Sequence, residues 1–125
     1  MPTQFRPLHL QQAIPRLVGT FGGPALQWIA LERFNTLGRA PTCSIQLDDN
    51  AISKVHCTIE LFEGAWHLID SSSNGTFVNG EKVKPHVLRD ADDIAIGNTR
   101  FFFATSRPPG DVTQINQPGL GFEKE

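Results

Sequence analysis

The chain has 125 residues, with 11 Lys and Arg against 13 Asp and Glu and a formal net charge of −2. That length suits one domain able to bury a core without staples, and the near-neutral balance excludes a general affinity for nucleic-acid backbones or anionic membranes. No apolar run approaches the ~18 residues of a membrane span and no signal pattern opens the chain, so a cytoplasmic or nuclear setting is expected.

Residues 1–14 contain Pro and Gln with weak periodicity and read as a flexible lead-in. From residue 15 to 105, short apolar segments are split by turn signals about every ten residues. Candidate strands are Arg16–Thr20, Gln27–Leu31, Asn35–Gly38, Ser44–Leu47, His56–Phe62, Ala65–Asp70, Thr76–Val78, Glu81–Val83, Asp93–Ile96 and Thr99–Ala104. In the fifth, Cys57, Ile59 and Leu61 alternate with Thr58, Glu60 and Phe62, the period of a strand with one buried face. No segment carries a helical stripe. The expected fold is all-β: a two-sheet antiparallel β-sandwich of about 10–11 short strands, with binding loops at one end. Residues 106–125 read as a flexible tail or linker, in which Thr113 is a possible phosphosite followed by Gln114, a pairing suggestive of a DNA-damage-type kinase. Asn74-Gly75 and Asn79-Gly80 lie five residues apart, and Asn-Gly is the strongest short signal for a tight hairpin turn.

Three polar clusters fall in loops between these strands: Gly38-Arg39, Ser53-Lys54-Val55-His56 and Ser73-Asn74-Gly75-Thr76. Loops at one end of a sandwich gather residues distant in sequence. Together they supply a planar guanidinium fork (Arg39), a movable cation (Lys54), two hydroxyls (Ser53, Ser73) and an amide (Asn74). Asp48, Asp49 and Asp70 stand ready to offset the positive charge. Arg matches phosphate oxygens with two parallel hydrogen bonds. Such bonds to charged groups contribute ~1.5–3 kcal/mol each, so three or four would hold a phosphoryl group after desolvation. Asn74, with donor and acceptor, suits an extended peptide backbone.

Other chemistries fare poorly. Ser53, His56 and Asp70 are the residue types of a hydrolase triad, but no Gly-x-Ser-x-Gly elbow or oxyanion hole accompanies them. Cys43, Cys57, His56 and His67 lack zinc-ligand spacing, and strand alternation would put His56 and Cys57 on opposite faces. Both thiols read as buried and free, which implies a reducing compartment. Asp48-Asp49-Asn50 lacks the Gly and distal Glu of a calcium loop. No enzyme activity, metal or cofactor is expected.

The order Gly38-Arg39, Ser53-x-x-His56, then Asn74-Gly75 running into Thr76-Phe77-Val78-Asn79-Gly80 resembles the forkhead-associated (FHA) domain. The segment Leu88-Arg89-Asp90-Ala91-Asp92-Asp93-Ile94-Ala95-Ile96-Gly97 is similar to that family's Leu-x-x-Gly-Asp-x-Ile-x-x-Gly. The resemblance spans roughly residues 16–105 and implies a sandwich that binds phosphothreonine peptides. It places Arg39 and Ser53 on the phosphate, Lys54 and Ser73 as further phosphate contacts, and Asn74 on the peptide main chain. Gly38, His56, Gly75, Asn79 and Gly80 become structural supports. Two departures stand out: Ala91 replaces the usual Gly, and Ser73 lacks the methyl of the Thr found in some members.

The resemblance implies a phosphothreonine-dependent binding module in Ser/Thr kinase signalling, monomeric, with a Thr-phosphorylated protein as partner and neither nucleic acid nor membrane. It fits the N-terminal part of a larger protein such as a checkpoint-type kinase. Alternatives are binding of an unmodified protein through a lateral surface, and self-association driven by phosphorylated Thr113.

Overall fold

The computed structural model describes residues 14–21 and 23–105 and the backbone of residues 113–114. Twelve strands follow one another without a helix among the described residues: β1 (Arg16–Gly19), β2 (Gln27–Ala30), β3 (Phe34–Gly38), β4 (Ile45–Gln46), β5 (Cys57–Phe62), β6 (Ala65–Asp70), β7 (Thr76–Val78), β8 (Glu81–Val83), β9 (Pro85–Val87), β10 (Asp93–Ile96), β11 (Thr99–Ala104) and β12 (Thr113–Gln114). They form a seven-stranded sheet in the order β12-β2-β1-β11-β10-β7-β8 and a five-stranded sheet in the order β4-β3-β5-β6-β9. The two-sheet all-β expectation holds, and all ten anticipated strands are present within a residue or two of their expected ends.

Two strands escaped the sequence. β9 begins at Pro85, and a proline demotes a run unless it opens an edge strand; β9 is the edge, paired only through β6. β12 falls in the segment expected to be a flexible tail, yet Thr113 and Gln114 pair with Gln27 and Trp28 of β2. That pairing is parallel, as is β3 with β4, so the sandwich is not purely antiparallel; both exceptions are two-residue strands at sheet edges. The rest of 1–13 and 106–125 lies outside the described residues.

The core lies between the sheets. Leu17, Val78, Ile94, Ile96, Phe101 and Phe103 from the larger sheet meet Leu37, Ile45, Ile59 and Leu68 from the smaller one. Alternation sets this directly: Asn35 and Leu37 turn inward on β3, leaving Phe34 on the outer face. Cys57 belongs to the same core, where burial, reinforced by Asp70, pushes its thiol up to about 12; Cys43 and Cys57 are both buried and free. His56 is as buried as Cys57. It precedes β5, so strand alternation does not govern it.

The two Asn-Gly pairs differ in kind. Asn79 and Gly80 both take positive φ, 53° and 86°, and join β7 to β8 as a type I′ hairpin; Glu63 and Gly64 do the same for β5 and β6. At Asn74-Gly75 only Gly75 is positive, at 102°. That pair makes no hairpin. It carries the chain from β6 in one sheet to β7 in the other.

Ala91 sits at φ 73°, a conformation that costs an L-residue roughly 1–2 kcal/mol and a glycine nothing. The turn is held regardless, by the Ala91 amide donating to the Phe103 carbonyl at 2.7 Å and by Asp92. Asp92 accepts from the Arg89 amide (2.9 Å), Asn79 Nδ2 (2.9 Å) and His86 (3.0 Å). Asn79 Oδ1 in turn accepts from the Asp93 amide at 3.0 Å. Ala91→Gly should therefore raise stability by about 1 kcal/mol, relief of strain outweighing the added chain entropy of ~0.4–1 kcal/mol. A thermal melt a few degrees above wild type is the expected result.

Candidate functional site

Gly38 ends β3 with its Cα against the loop that precedes β5. A Cβ there would lie 2.1 Å from the Lys54 carbonyl oxygen and 3.0 Å from Cys43 Sγ. No side chain fits, and the close approach lets the two segments bond. The Arg39 amide donates to the Ser53 carbonyl at 3.0 Å and the Ala40 amide to the Lys54 carbonyl at 3.1 Å. The Arg39 guanidinium is exposed, but its Nε donates to the Ile52 carbonyl at 3.0 Å. One edge of the fork is thus fixed to the loop, and its terminal nitrogens have no partner among the described residues.

The loop from Asp49 to His56 is anchored at both ends. Asp49 accepts from the Ala51 amide (2.9 Å), the Asn98 amide (2.7 Å) and Thr99 Oγ1 (3.2 Å), which fastens it to the β10–β11 turn. Those backbone bonds hold its carboxyl below the ordinary value despite partial desolvation. At the other end His56 is fully buried. Its Nδ1 accepts from the Ser53 amide at 3.1 Å, and Nε2 lies 2.9 Å from the Gly75 carbonyl. A ring nitrogen facing an N–H must accept, and one facing a carbonyl must donate, so the network fixes the Nε2–H tautomer.

Gly75 belongs to the third segment, between β6 and β7, which makes two more contacts with the same loop. The Ser73 amide donates to Ser53 Oγ at 3.0 Å, and Asn74 Nδ2 donates to the Ala51 carbonyl at 3.0 Å. Beneath it lies Asp70, a buried carboxylate at the end of β6. It accepts from Ser72 Oγ (2.6 Å), the Ser72 amide (3.2 Å) and Thr76 Oγ1 (2.8 Å), with Lys84 Nζ at 3.8 Å. Burial raises its pKa, but the hydrogen bonds from Ser72 and Thr76 outweigh that and leave the group lowered. Ser72 Oγ also accepts from the Gly75 amide at 2.7 Å.

Arg39, Ser53, Ser73 and Asn74 are accordingly brought to one apparatus by direct bonds between their loops, with Lys54 exposed alongside Ser53. Gly38, His56 and Gly75 lie behind them. Asn79 and Gly80 are in the β7–β8 hairpin and reach the loops only through β7. Asp49 and Asp70 are committed to the scaffold and do not serve as loose counter-charges for an empty site. Ser72 was missed by sequence reasoning. Its signal was present in Asp70-x-Ser72, a spacing at which a carboxylate receives the amide and hydroxyl two residues on.

The family model described as FHA domain matches residues 35–97, just over half the chain. The chain is 41% identical over 69 residues to a Corynebacterium efficiens protein named oxoglutarate dehydrogenase inhibitor, covering 54% of this chain and 49% of that protein. It is 39% identical over 80 residues to the glycogen accumulation regulator GarA of Mycolicibacterium smegmatis, covering 63% of this chain and 50% of the relative. The chain thus spans about half the length of these curated relatives. Among solved structures, the N-terminal FHA domain of S. cerevisiae Rad53p in complex with a phosphothreonine peptide superposes with a TM-score of 0.64 at 25% identity, over 74% of this chain and 94% of that one. No helix among the described residues is long and apolar enough to cross a membrane.

Two outcomes follow from the scaffold. His56→Ala removes one buried acceptor and one buried donor and leaves a void, and should cost about 3 kcal/mol in urea denaturation. Asp70 and Asp92 titrate below their ordinary value of 3.8 in the folded chain. Their stabilisation is complete above that value and is lost as pH falls through the lower folded values. The contribution of these two carboxylates to unfolding free energy should be constant from about pH 7 to 5 and fall below about pH 4, so the drop below about pH 4 should be shallower in Asp70→Asn.

Proposed function

The chain belongs to the FHA domain family, and from that premise we propose that its Arg39–Ser53–Asn74 apparatus binds peptides containing phosphothreonine, making the protein a phosphorylation-dependent interaction module in Ser/Thr kinase signalling. One observation carries the reading. Arg39 is tethered through Nε to the Ile52 carbonyl, so its fork is held against the loop that carries Ser53. An ordered, permanently charged fork beside hydroxyl donors suits a phosphate dianion, which accepts up to several bonds and repays desolvation only when they are charge-assisted.

Each residue then has a distinct part. Arg39 takes two phosphate oxygens. Ser53 Oγ already accepts the Ser73 amide, which leaves its own proton for the phosphate. Lys54 adds a second, mobile charge, and the Ser73 hydroxyl donates from the far side. Asn74 gives one Nδ2 hydrogen to the Ala51 carbonyl, which orients the amide and leaves Oδ1 for a peptide N–H. Gly38, His56, Gly75, Asn79 and Gly80 support these groups without touching ligand. The reading needs no catalytic step, cofactor or metal.

Two of the relatives are named as an inhibitor and a regulator, and a regulator of that kind is the proposed setting rather than the N-terminal piece of a checkpoint-type kinase. Their names offer no support for a DNA-damage role. Self-association through phosphorylated Thr113 would require β12 to leave β2, where Thr113 pairs with Gln27. A second reading draws on the outer face of the five-stranded sheet, where Phe34, Phe62, Ile69 and Val87 are exposed. Such a face suits a protein contact independent of phosphate.

The test is calorimetry with a phosphothreonine peptide and its unmodified twin. The phosphorylated peptide should bind and the twin should not. Arg39→Ala should abolish binding, and Arg39→Lys should restore it only in part, for want of the bidentate fork. Undiminished affinity in Arg39→Ala, or equal affinity for the twin, would exclude the proposal. A matched phosphoserine peptide should bind more weakly than phosphothreonine; equal affinity would remove the preference for the methyl.

A further inference from the structure

Beside the proposed phosphate site, and sharing Ser73 with it, lies a cleft of about 370 Å³ lined by Asp70, Ser72, Ser73, Gly75, Lys82, Val83 and Lys84. Its positive charges come from β8 and the residue after it, a part of the chain that the proposed clamp does not use. Lys82 pairs across the hairpin with Phe77, and its side chain lies along the Gly75 backbone. A Cβ on Gly75 would meet Lys82 Cε at 2.8 Å, Cδ at 3.4 Å and Cγ at 3.5 Å. The bare glycine therefore does more than permit φ 102°. It provides the bed for a lysine stem whose ammonium is carried toward the loop of Ser72 and Ser73.

Among the described residues lining the cleft, Asp70 alone is negative; its Oδ1 takes Ser72 and Thr76, and its Oδ2 faces Lys84 Nζ at 3.8 Å. Lys84 remains 74% exposed in its side chain, so its ammonium retains donors for another anion. Ser72 Oγ is fully used between Asp70 and the Gly75 amide. Ser73 Oγ has no partner among the described residues. Two ammoniums and one hydroxyl thus line a cleft with a single carboxylate, which offsets one of the two positive charges through Lys84 and leaves the other uncompensated.

We propose that this cleft is a second anion subsite, which takes an acidic group on the same phosphopeptide that occupies the Arg39–Ser53 site. The inference rests on that site being a phosphopeptide clamp and adds a sequence preference to it. Because Ser73 borders both sites, the second anion belongs near the phosphothreonine. An extended peptide advances about 3.3 Å per residue, so a position within about four residues is the reach. The shared chemistry is an anionic oxygen cluster; a Glu or Asp carboxylate and a second phosphate are its two sources.

The experiment is a glutamate scan. A phosphothreonine peptide flanked by alanines is compared with variants carrying one Glu at each position within four residues on either side. Titrations use the full chain, as wild type and as Lys82→Ala/Lys84→Ala. At one position, or two adjacent ones, Glu should tighten wild-type binding by about 3- to 10-fold, in line with one or two exposed charge pairs. The double variant should lose that gain while binding the alanine-flanked peptide as wild type does. Phosphoserine placed at the responsive position separates the sources: an equal gain assigns the subsite to any acidic residue, and a much larger one assigns it to a second phosphate. A flat scan with both Glu and phosphoserine in the wild type overturns the subsite, as does a gain that survives in the double variant. Loss of all binding in the alanine-flanked background of the double variant would also overturn it, since the lysines would then belong to the primary site. Failure of the clamp reading itself looks different, because Arg39→Ala would then leave the alanine-flanked peptide bound. Both lysines are exposed, and a thermal melt of the double variant confirms that it folds.

Discussion

The site depends on one buried imidazole. His56 spans the gap between the loop before β5 and the crossover from β6 to β7, accepting from the Ser53 amide and donating to the Gly75 carbonyl. Neither loop is long enough to have a core of its own, and both carry polar residues that would otherwise be hydrated and mobile. A ring that satisfies one donor and one acceptor fixes the separation of the two loops to within hydrogen-bond tolerance. Arg39 then follows, because its amide and Nε are bonded to the Ser53 and Ile52 carbonyls of the loop His56 holds. Exposed Arg39 and the Ser53 loop are thus ordered by a fully buried group.

Two buried carboxylates repeat this logic elsewhere. Asp70 collects Ser72 and Thr76 beneath the crossover, and Asp92 collects Arg89, Asn79 and His86 beside the β7–β8 hairpin. An ionised carboxylate with several short donors is cheap to bury and costly to protonate. β7 runs between these two hubs. Its three residues are too few to hold register by pairing alone, so its ends are pinned by side chains: Thr76 to Asp70, and the Asn79 that follows it to Asp92. The hairpin that presents Lys82 inherits its position from both.

Much of this was legible in the sequence because the determinants are local. Strand periods and the Asn79-Gly80 and Glu63-Gly64 turns act within a few residues. What was not legible depended on partners far along the chain. Asn74-Gly75 has the same two letters as Asn79-Gly80, but its neighbours return to the other sheet, and Asn74 bonds Ala51 rather than closing a hairpin. Ala91 stands where the family has glycine, and only its φ of 73° shows the conformational reason for that glycine. β12 pairs with a strand more than eighty residues away, and nothing in Thr113-Gln114 itself announces that edge. Candidate site residues were named by kind and order, while the direction in which each polar group faces needed coordinates.

That direction decides what the proposed clamp can accept. Asn74 offers two donor hydrogens and an acceptor, and the bond from one Nδ2 hydrogen to the Ala51 carbonyl orients the amide, leaving Oδ1 free to accept beside the second Nδ2 hydrogen. The oxygen of Ser53 receives the Ser73 amide, so outward it donates. The loops therefore present donors where Arg39, Ser53 and Lys54 gather and an acceptor one step away at Asn74. A phosphate followed by a backbone N–H has the complementary order along its chain. A free carboxylate or inorganic phosphate would satisfy the donors and leave Asn74 Oδ1 to water, losing a bond the preordered loop makes at little entropic cost. In the proposed clamp, selectivity for a phosphate within a polypeptide over the ion alone would arise from the internal hydrogen bond that orients this single amide.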